Sequence, residues 1–282
     1  MDKVPAEVYA TLLDEGRYLC SISSMYRILR ANEEVRERRN QLRHPEYKKP
    51  ELIAIAPNQV WSWDITKLLG PVKWTYYYFY VIIDIYSRYV VGWMVASRET
   101  GALANKLIGE TCTRQRIDKD QLVIHSDRGT SMTSNTVAQL MAELGVTKSL
   151  SRPHVSNDNP YSESHFKTLK YRPTFPDRFG SIEDATAFCS ELVSWYNYDH
   201  YHSGIALMTP YTVHNGRAQD CNEKRQTVLT SAFCDHPERF VRGQPKTIAL
   251  PDAVWINPPK PIILNGEALP DATAFSGTII VA

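Results

Sequence analysis

The 282-residue chain contains no uninterrupted apolar run approaching the roughly 20 residues that a membrane-spanning helix requires. Its first residues, MDKVPAEVYATLL, also lack the basic stretch and long apolar core of an export leader. The expectation is a protein neither exported nor inserted in a membrane. Cysteine offers no scaffold. Cys20, Cys112, Cys189, Cys221 and Cys234 are scattered, odd in number and never arranged as C-x-x-C. That disfavours a disulfide framework and a zinc ribbon, and fits a reducing cytoplasm. A surplus of charge is missing too. Lys and Arg total 32 against 31 Asp and Glu, a net +1, so whole-chain electrostatics alone does not call for nucleic acid. No internal repeat is found. With 43% hydrophobic and 22% charged residues, the chain can build one large core with smaller appendages.

The distribution of charge says more than its sum. Between Arg27 and Pro50 lie eight basic and four acidic side chains, and a second basic cluster, Lys167, Lys170 and Arg172, follows Glu163. Residues 6–14 and 22–39 have helical spacing, with Ser21, Ser23 or Ser24 as candidate N-caps. The expected organisation is a helical arm over 1–50, a proline-containing linker over 51–58, a core over 59–218, and a helix with a small β-rich tail over 219–282.

From Val60 the runs VWSWDITKL, KWTYYYFYVIIDIY and RYVVGWMVA are β-branched and aromatic with short breaks, the pattern of an antiparallel meander. A helix at 100–115, the strand LVIH, a helix at 134–145 ended by Gly145, and the strand VTKSL follow. Strands first, then helix and strand in alternation, imply an α/β fold with a mixed sheet flanked by helices. Further helices are expected from Asn159 or Pro160 and from Ser181, where Asp184 completes a capping-box pattern, and then after Pro210 and near 219–235.

Three acids carry the chemistry: Asp64 in WSWDIT, Asp127 in VIHSDRGT and Glu163 in NDNPYSESHFKTLK, with thirty-five residues between the last two. Asp64 belongs on the first strand of the meander, Asp127 just past a later strand and Glu163 on a helix that packs across the sheet. Carboxylates gathered within a few ångströms repel unless protonated or neutralised, so their convergence calls for cations. Magnesium prefers oxygen and is normally held by one or two carboxylates together with substrate phosphates. Two such ions about 3.5–4 Å apart clamp the attacking and leaving oxygens of a displacement at phosphorus. Lys167 and Lys170 share a helix face with Glu163 and are read either as solvated ion-pair partners or as phosphate contacts.

Taken together, WSWDIT, VIIDIYSRYVVGW, VIHSDRGT, NPYSESHFKTLKYR, SWYNYDHYHSGI followed by MTP, PERF and VWINPP resemble bacterial insertion-sequence transposases of the OrfB kind. These belong to the retroviral integrase superfamily. The resemblance runs from about Gln59 to Pro259. It implies an RNase H-like core in which Asp64, Asp127 and Glu163 bind two Mg²⁺ or Mn²⁺, with Asp64 shared between them. It implies a polynucleotidyl transferase that cuts and joins DNA at element ends, works as a homo-oligomer on element ends and target, and resides in the cytoplasm on the nucleoid. The helical arm resembles only the end of the linker that follows an upstream helix-turn-helix region, so a product of an upstream reading frame is an expected partner. Tyr201 stands where many relatives carry a basic residue.

Several residues have two readings. Asp84 is a fourth ligand or a structural carboxylate, and His125 orients the site or is a satisfied core histidine. Asn159 caps its helix or touches DNA, and Arg128 and Arg152 meet phosphate or are exposed charges. The strand aromatics Trp61, Trp63 and Tyr76–Phe79 are assigned to core packing, and His165, His200 and His202 lack the cysteines of a usual zinc site. Two other functions compete: a catalytically inactive DNA-binding or assembly factor derived from a transposase, and a glycosidase, which leaves the lysines and the third acid unexplained. If Lys170 meets phosphate, Lys170→Ala lowers the slope of log affinity for DNA against log salt by about 1, and an unchanged slope contradicts that role.

Overall fold

A computed structural model describes residues 4–32, 47, 49–129, 131–153, 155, 158–259, 263–264 and 267–268. It divides into two units, residues 1–46 and 47–282. In the first, α1 (Pro5–Asp14) and α2 (Ile22–Ala31) pack together, and Val8, Leu12, Met25, Ile28 and Leu29 line an apolar groove. The Ser21 side chain caps α2 by accepting from the Ser24 amide. Neither helix buries a residue completely, and the expected continuation of α2 to residue 39 lies outside the described residues.

The second unit opens with β1 (Leu52–Ala54), followed by β2 (Val60–Leu69), β3 (Tyr76–Asp84) and β4 (Val90–Ala96). Then come β5 (Val123–Ser126) and β6 (Thr147–Leu150). Strands β2 to β6 form one sheet in the order β4-β3-β2-β5-β6, antiparallel through the meander and parallel from β2 to β5 to β6. This is the expected mixed α/β sheet of RNase H-like type, with helices on both faces.

The period of two along β2 sorts its side chains between the faces. Trp61 and Trp63, with Tyr80 and Ile82 of β3, pack against α3 (Gly101–Gln115) and α4 (Asn135–Leu144). Leu68, with Phe79, Val81 and Ile83, packs against α5 (Pro160–Lys170) and α6 (Ile182–Tyr198). Thr100, Ser134 and Ser181 each accept a hydrogen bond from the amide three residues on, which starts α3, α4 and α6. Gly145 ends α4 at φ 66, and a Cβ there would meet Lys119 at 3.0 Å. The chain continues through α7 (Pro210–His214) and α8 (Ala218–Asp235).

The two ends of this unit differ from expectation. The proline-containing stretch at 51–58 contains a strand, and β7 (Val254–Ile256) from the tail pairs with it antiparallel, Leu52 opposite Ile256 and Ala54 opposite Val254. Leu52, Ala54, Val254 and Ile256 are buried against Val60, Ile85 and Val123. The tail is therefore not a self-contained β element, and residues 240–253 form no strand. Beyond it, β8 (Ile263–Leu264) and β9 (Glu267–Ala268) make a two-residue pairing.

Asp84 resolves as structural. Its carboxylate is completely buried and accepts from the Asn58 amide, the Ser87 amide and the Ser87 hydroxyl, each at 2.7 Å. The aromatics Trp61, Trp63, Phe79 and Tyr80 are likewise core. Removing the carboxylate strands buried donors, so Asp84→Ala is expected to cost about 2–4 kcal/mol of unfolding free energy in urea titration.

Candidate active site

Strand pairing aligns the first two acids. Trp63 is paired with Ser126, the last pair of the parallel β2–β5 ladder, so Asp64 on β2 and Asp127 just past the end of β5 both follow directly on that pair. Helix α5 supplies the third. On the α5 side of β2, the hydroxyl of Ser62 bonds to the Asn159 side chain and to Ser162, while Thr66 accepts from Lys170 Nζ at 2.5 Å. Asp64 lies between Ser62 and Thr66 on the strand, as Glu163 lies between Ser162 and Lys170 on the helix. The polar rungs on either side therefore bring Glu163 toward Asp64.

The electrostatics register this gathering. Burial raises the Asp64 carboxyl to about 7, and the charges of Asp127, Glu163 and Glu99 add to the rise against one backbone hydrogen bond from Ile65. Glu99 is a fourth acid that sequence reasoning missed. It sits just before the N-cap of α3 and accepts a 3.0 Å hydrogen bond from Ser131, and no motif or periodicity marked it. Among the described residues, no group of three or more His, Cys, Asp or Glu side chains is close enough to hold a metal ion in the arrangement seen.

Asp127 is held from behind. Its Oδ1 accepts from the Ser151 hydroxyl at 2.7 Å, and Ser151 lies 3.2 Å from His125 Nε2. His125 is buried, bonded through Nδ1 to Ser149 at 3.0 Å and through Nε2 to the Asp158 carbonyl at 2.8 Å. A carbonyl only accepts, so Nε2 carries the proton. Burial lowers the pKa of this imidazole despite the backbone bond and nearby acids. His125 is a satisfied core histidine, and the Ser151 hydroxyl beside it is the one that bonds Asp127.

The basic candidates fall into distinct settings. Burial lowers the pKa of Lys170 while the charge of Asp64 raises it, and no ion pair joins Lys167 or Lys170 to Glu163 among the described residues. Lys167 is exposed. Arg172 stacks over Trp195 at 3.9 Å, and Arg128 lies 4.4 Å above the Tyr47 ring while donating to the Ser151 carbonyl. Arg152 is spent on Asp158. Asn159 occupies the N-cap position of α5 but makes no side-chain cap. It is fully buried and turned to Ser62, because that hydroxyl is within reach under the helix. His165, His200 and His202 surround Tyr196, at ring centroid distances of 4.5, 5.6 and 4.9 Å. Burial depresses His165 to about 3 and His202 to about 4.

Residues 54–156 match the family model described as Integrase core domain, and residues 144–210 match a second model of the same description. Together the two matches span residues 54–210, and over that stretch the chain is similar to integrase cores. It is 32% identical over 168 residues to the transposase for insertion sequence element IS904 of Lactococcus lactis, covering 57% of this chain and 65% of the relative. It is 29% identical over 166 residues to the transposase InsF for insertion sequence IS3A of Escherichia coli, covering 58% and 57%. The catalytic core domain of BIV integrase aligns at 22% identity over 60% of this chain and 99% of that one, with a TM-score of 0.43. The chain thus spans between about half and two thirds of the length of these curated relatives.

A carboxyl whose pKa is raised on folding adds stability that is complete below the unfolded value, near 3.8, and is lost as pH climbs through about 7. Asp64→Asn therefore gains in melting temperature relative to the unsubstituted protein as pH rises from about 5 to about 8 in EDTA, and parallel curves would show that folding does not raise the Asp64 carboxyl.

Proposed function

We propose that this chain is the catalytic part of a DNA transposase, which cleaves a phosphodiester at an insertion-sequence end and joins the freed 3′-hydroxyl to target DNA. The observation that carries the reading is that β2, the end of β5 and α5 bring Asp127 and Glu163 toward a half-buried Asp64, whose carboxyl is lifted to about 7 by burial with the charges of Asp127, Glu163 and Glu99 adding to the rise. Such a pocket offers oxygen donors only, which suits a hard divalent cation over a thiophilic one. Asp64, Asp127 and Glu163 would hold two Mg²⁺ or Mn²⁺. When bound, the ions would neutralise the carboxylates and supply Lewis acidity toward phosphate oxygens.

The chain's own groups then position nucleic acid. Lys170, anchored on Thr66, places a cation beside Asp64, and Lys167 adds one on the same helix face. Arg128 borders a cavity of about 690 Å³ that Asp127, Ser151 and Arg152 also line, where a phosphate backbone could run past the acids. Arg172, stacked on Trp195, extends the basic track. Asn159 acts here from beneath, through Ser62, rather than on DNA. In the first step an oxygen of water bonds to phosphorus and the 3′-oxygen of the adjoining nucleotide departs. In the second, that 3′-hydroxyl displaces another 3′-oxygen, exchanging one phosphodiester for another. Neither step needs a protein nucleophile, and catalysis is positioning and charge stabilisation. Holding two ends calls for a homo-oligomer, and recognition of the ends falls to the helix-turn-helix product of an upstream frame.

The second reading, a DNA-binding or assembly factor without catalysis, draws on the lack of a ready-formed metal cluster among the described residues. Labelled duplexes carrying the flanking DNA of the native locus separate the two. With Mg²⁺ and the upstream frame fused on, cleavage and joining are expected, and EDTA or Asp127→Ala abolishes both while DNA binding persists. Binding without cutting in Mg²⁺ favours the factor, and retained activity in purified Asp127→Ala contradicts the assignment of the acids.

A further inference from the structure

The VWINPP sequence has no place in the site as described so far, yet it closes on the residues that lead into the catalytic helix. The meeting point is the carboxylate of Asp158, which is fully buried. It accepts from the Arg152 amide at 2.9 Å, from the Arg152 guanidinium twice at 3.0 Å and from Asn257 Nδ2 at 2.9 Å. Its backbone carbonyl receives His125. Burial opposes the ionised form, but the hydrogen bonds from Arg152 and Asn257 outweigh it and hold the carboxyl at about 2. Asp158 is followed by Asn159, which bonds Ser62, and Glu163 comes five residues after it.

Asn257 is shaped for this contact. Its backbone is left-handed, at φ 55, a conformation that Asn adopts more readily than most residues. Its Nδ2 also donates to the Pro50 carbonyl at 3.1 Å, so both strands of the β1–β7 ribbon are tied at one end to Asp158. Two residues earlier, the Trp255 carbonyl accepts the Tyr161 hydroxyl at 2.8 Å. Tyr161 lies in the first turn of α5, two residues before Glu163, and its ring carries the Arg88 guanidinium at 4.2 Å.

The geometry points to Asn257 as a positioning residue: the β1–β7 ribbon clamps Asp158 and the first turn of α5, and thereby fixes where Glu163 stands relative to Asp64. The consequence for rate rests on the catalytic role proposed above for Glu163, whereas the clamp itself does not.

Asn257→Gly in the full chain tests it, because glycine keeps the left-handed backbone at no steric cost while deleting both side-chain bonds. Amide hydrogen exchange over Asp158–Glu163 is expected to accelerate selectively, with β2 and β5 as protected as before. Strand transfer falls roughly 10- to 100-fold, the scale on which ångström misplacement acts, with DNA affinity within about twofold. Tyr161→Phe, which loses only the bond to Trp255, moves both readouts the same way by less. Unchanged exchange over Asp158–Glu163, or acceleration spread evenly over the sheet, overturns the clamp. Selective acceleration with an undiminished rate overturns its link to catalysis. A parent chain that binds DNA but never joins it refutes the catalytic reading, and exchange alone then decides the clamp.

Discussion

Burial of a carboxyl beside others of its own sign is the constraint around which the candidate site is arranged. The Asp64 carboxyl is lifted to about 7 first by its burial and then by the approach of Asp127, Glu163 and Glu99. The approach is sustained because none of the acids moves freely. Asp64 is fixed by a ten-residue strand paired on both edges, Asp127 by the adjacent parallel strand and its Ser151 bond, and Glu163 by a helix bonded to β2 before and after it. Hydrophobic packing on both sheet faces supplies the stability from which this local penalty is met.

The contact between β2 and α5 is correspondingly polar near the acids. Ser62, Asn159 and Ser162 are buried and bonded to one another, while Phe166 and Leu169 take up apolar packing further along the helix. Apolar groups alone would let the helix slide along the strand, since that attraction has no direction. Hydrogen bonds between particular atoms set the register. The same logic recurs at Asp158, where an ionised carboxylate is kept in the interior by donors from two separate stretches of chain, at Arg152 and Asn257.

Much of this was legible in the residues. The alternation of β2 and β3, the capping pattern at Ser181 and the stop at Gly145 are local signals, and they located the sheet and two of the helices packed on it. Asp64, Asp127 and Glu163 stood out through residue type, setting and spacing. What escaped was non-local. Strands β1 and β7 are three residues each, too short to show a period, and their pairing joins positions about two hundred residues apart. Glu99 enters the site through the turn between β4 and α3, which carries no chemical motif. Asn159 looked like a helix cap because its position is one, and only the proximity of Ser62 redirects its side chain.

The pairing of Leu52–Ala54 with Val254–Ile256 also sets an order of assembly. During synthesis the meander and the parallel strands emerge first and can collapse on their own helices, at about 5–20 residues added per second. The segment that closes the ribbon leaves the ribosome only after the meander, the parallel strands and all of the helices packed on them. A nascent or prematurely terminated chain thus displays its acids on an unfinished scaffold until Val254–Ile256 has been made.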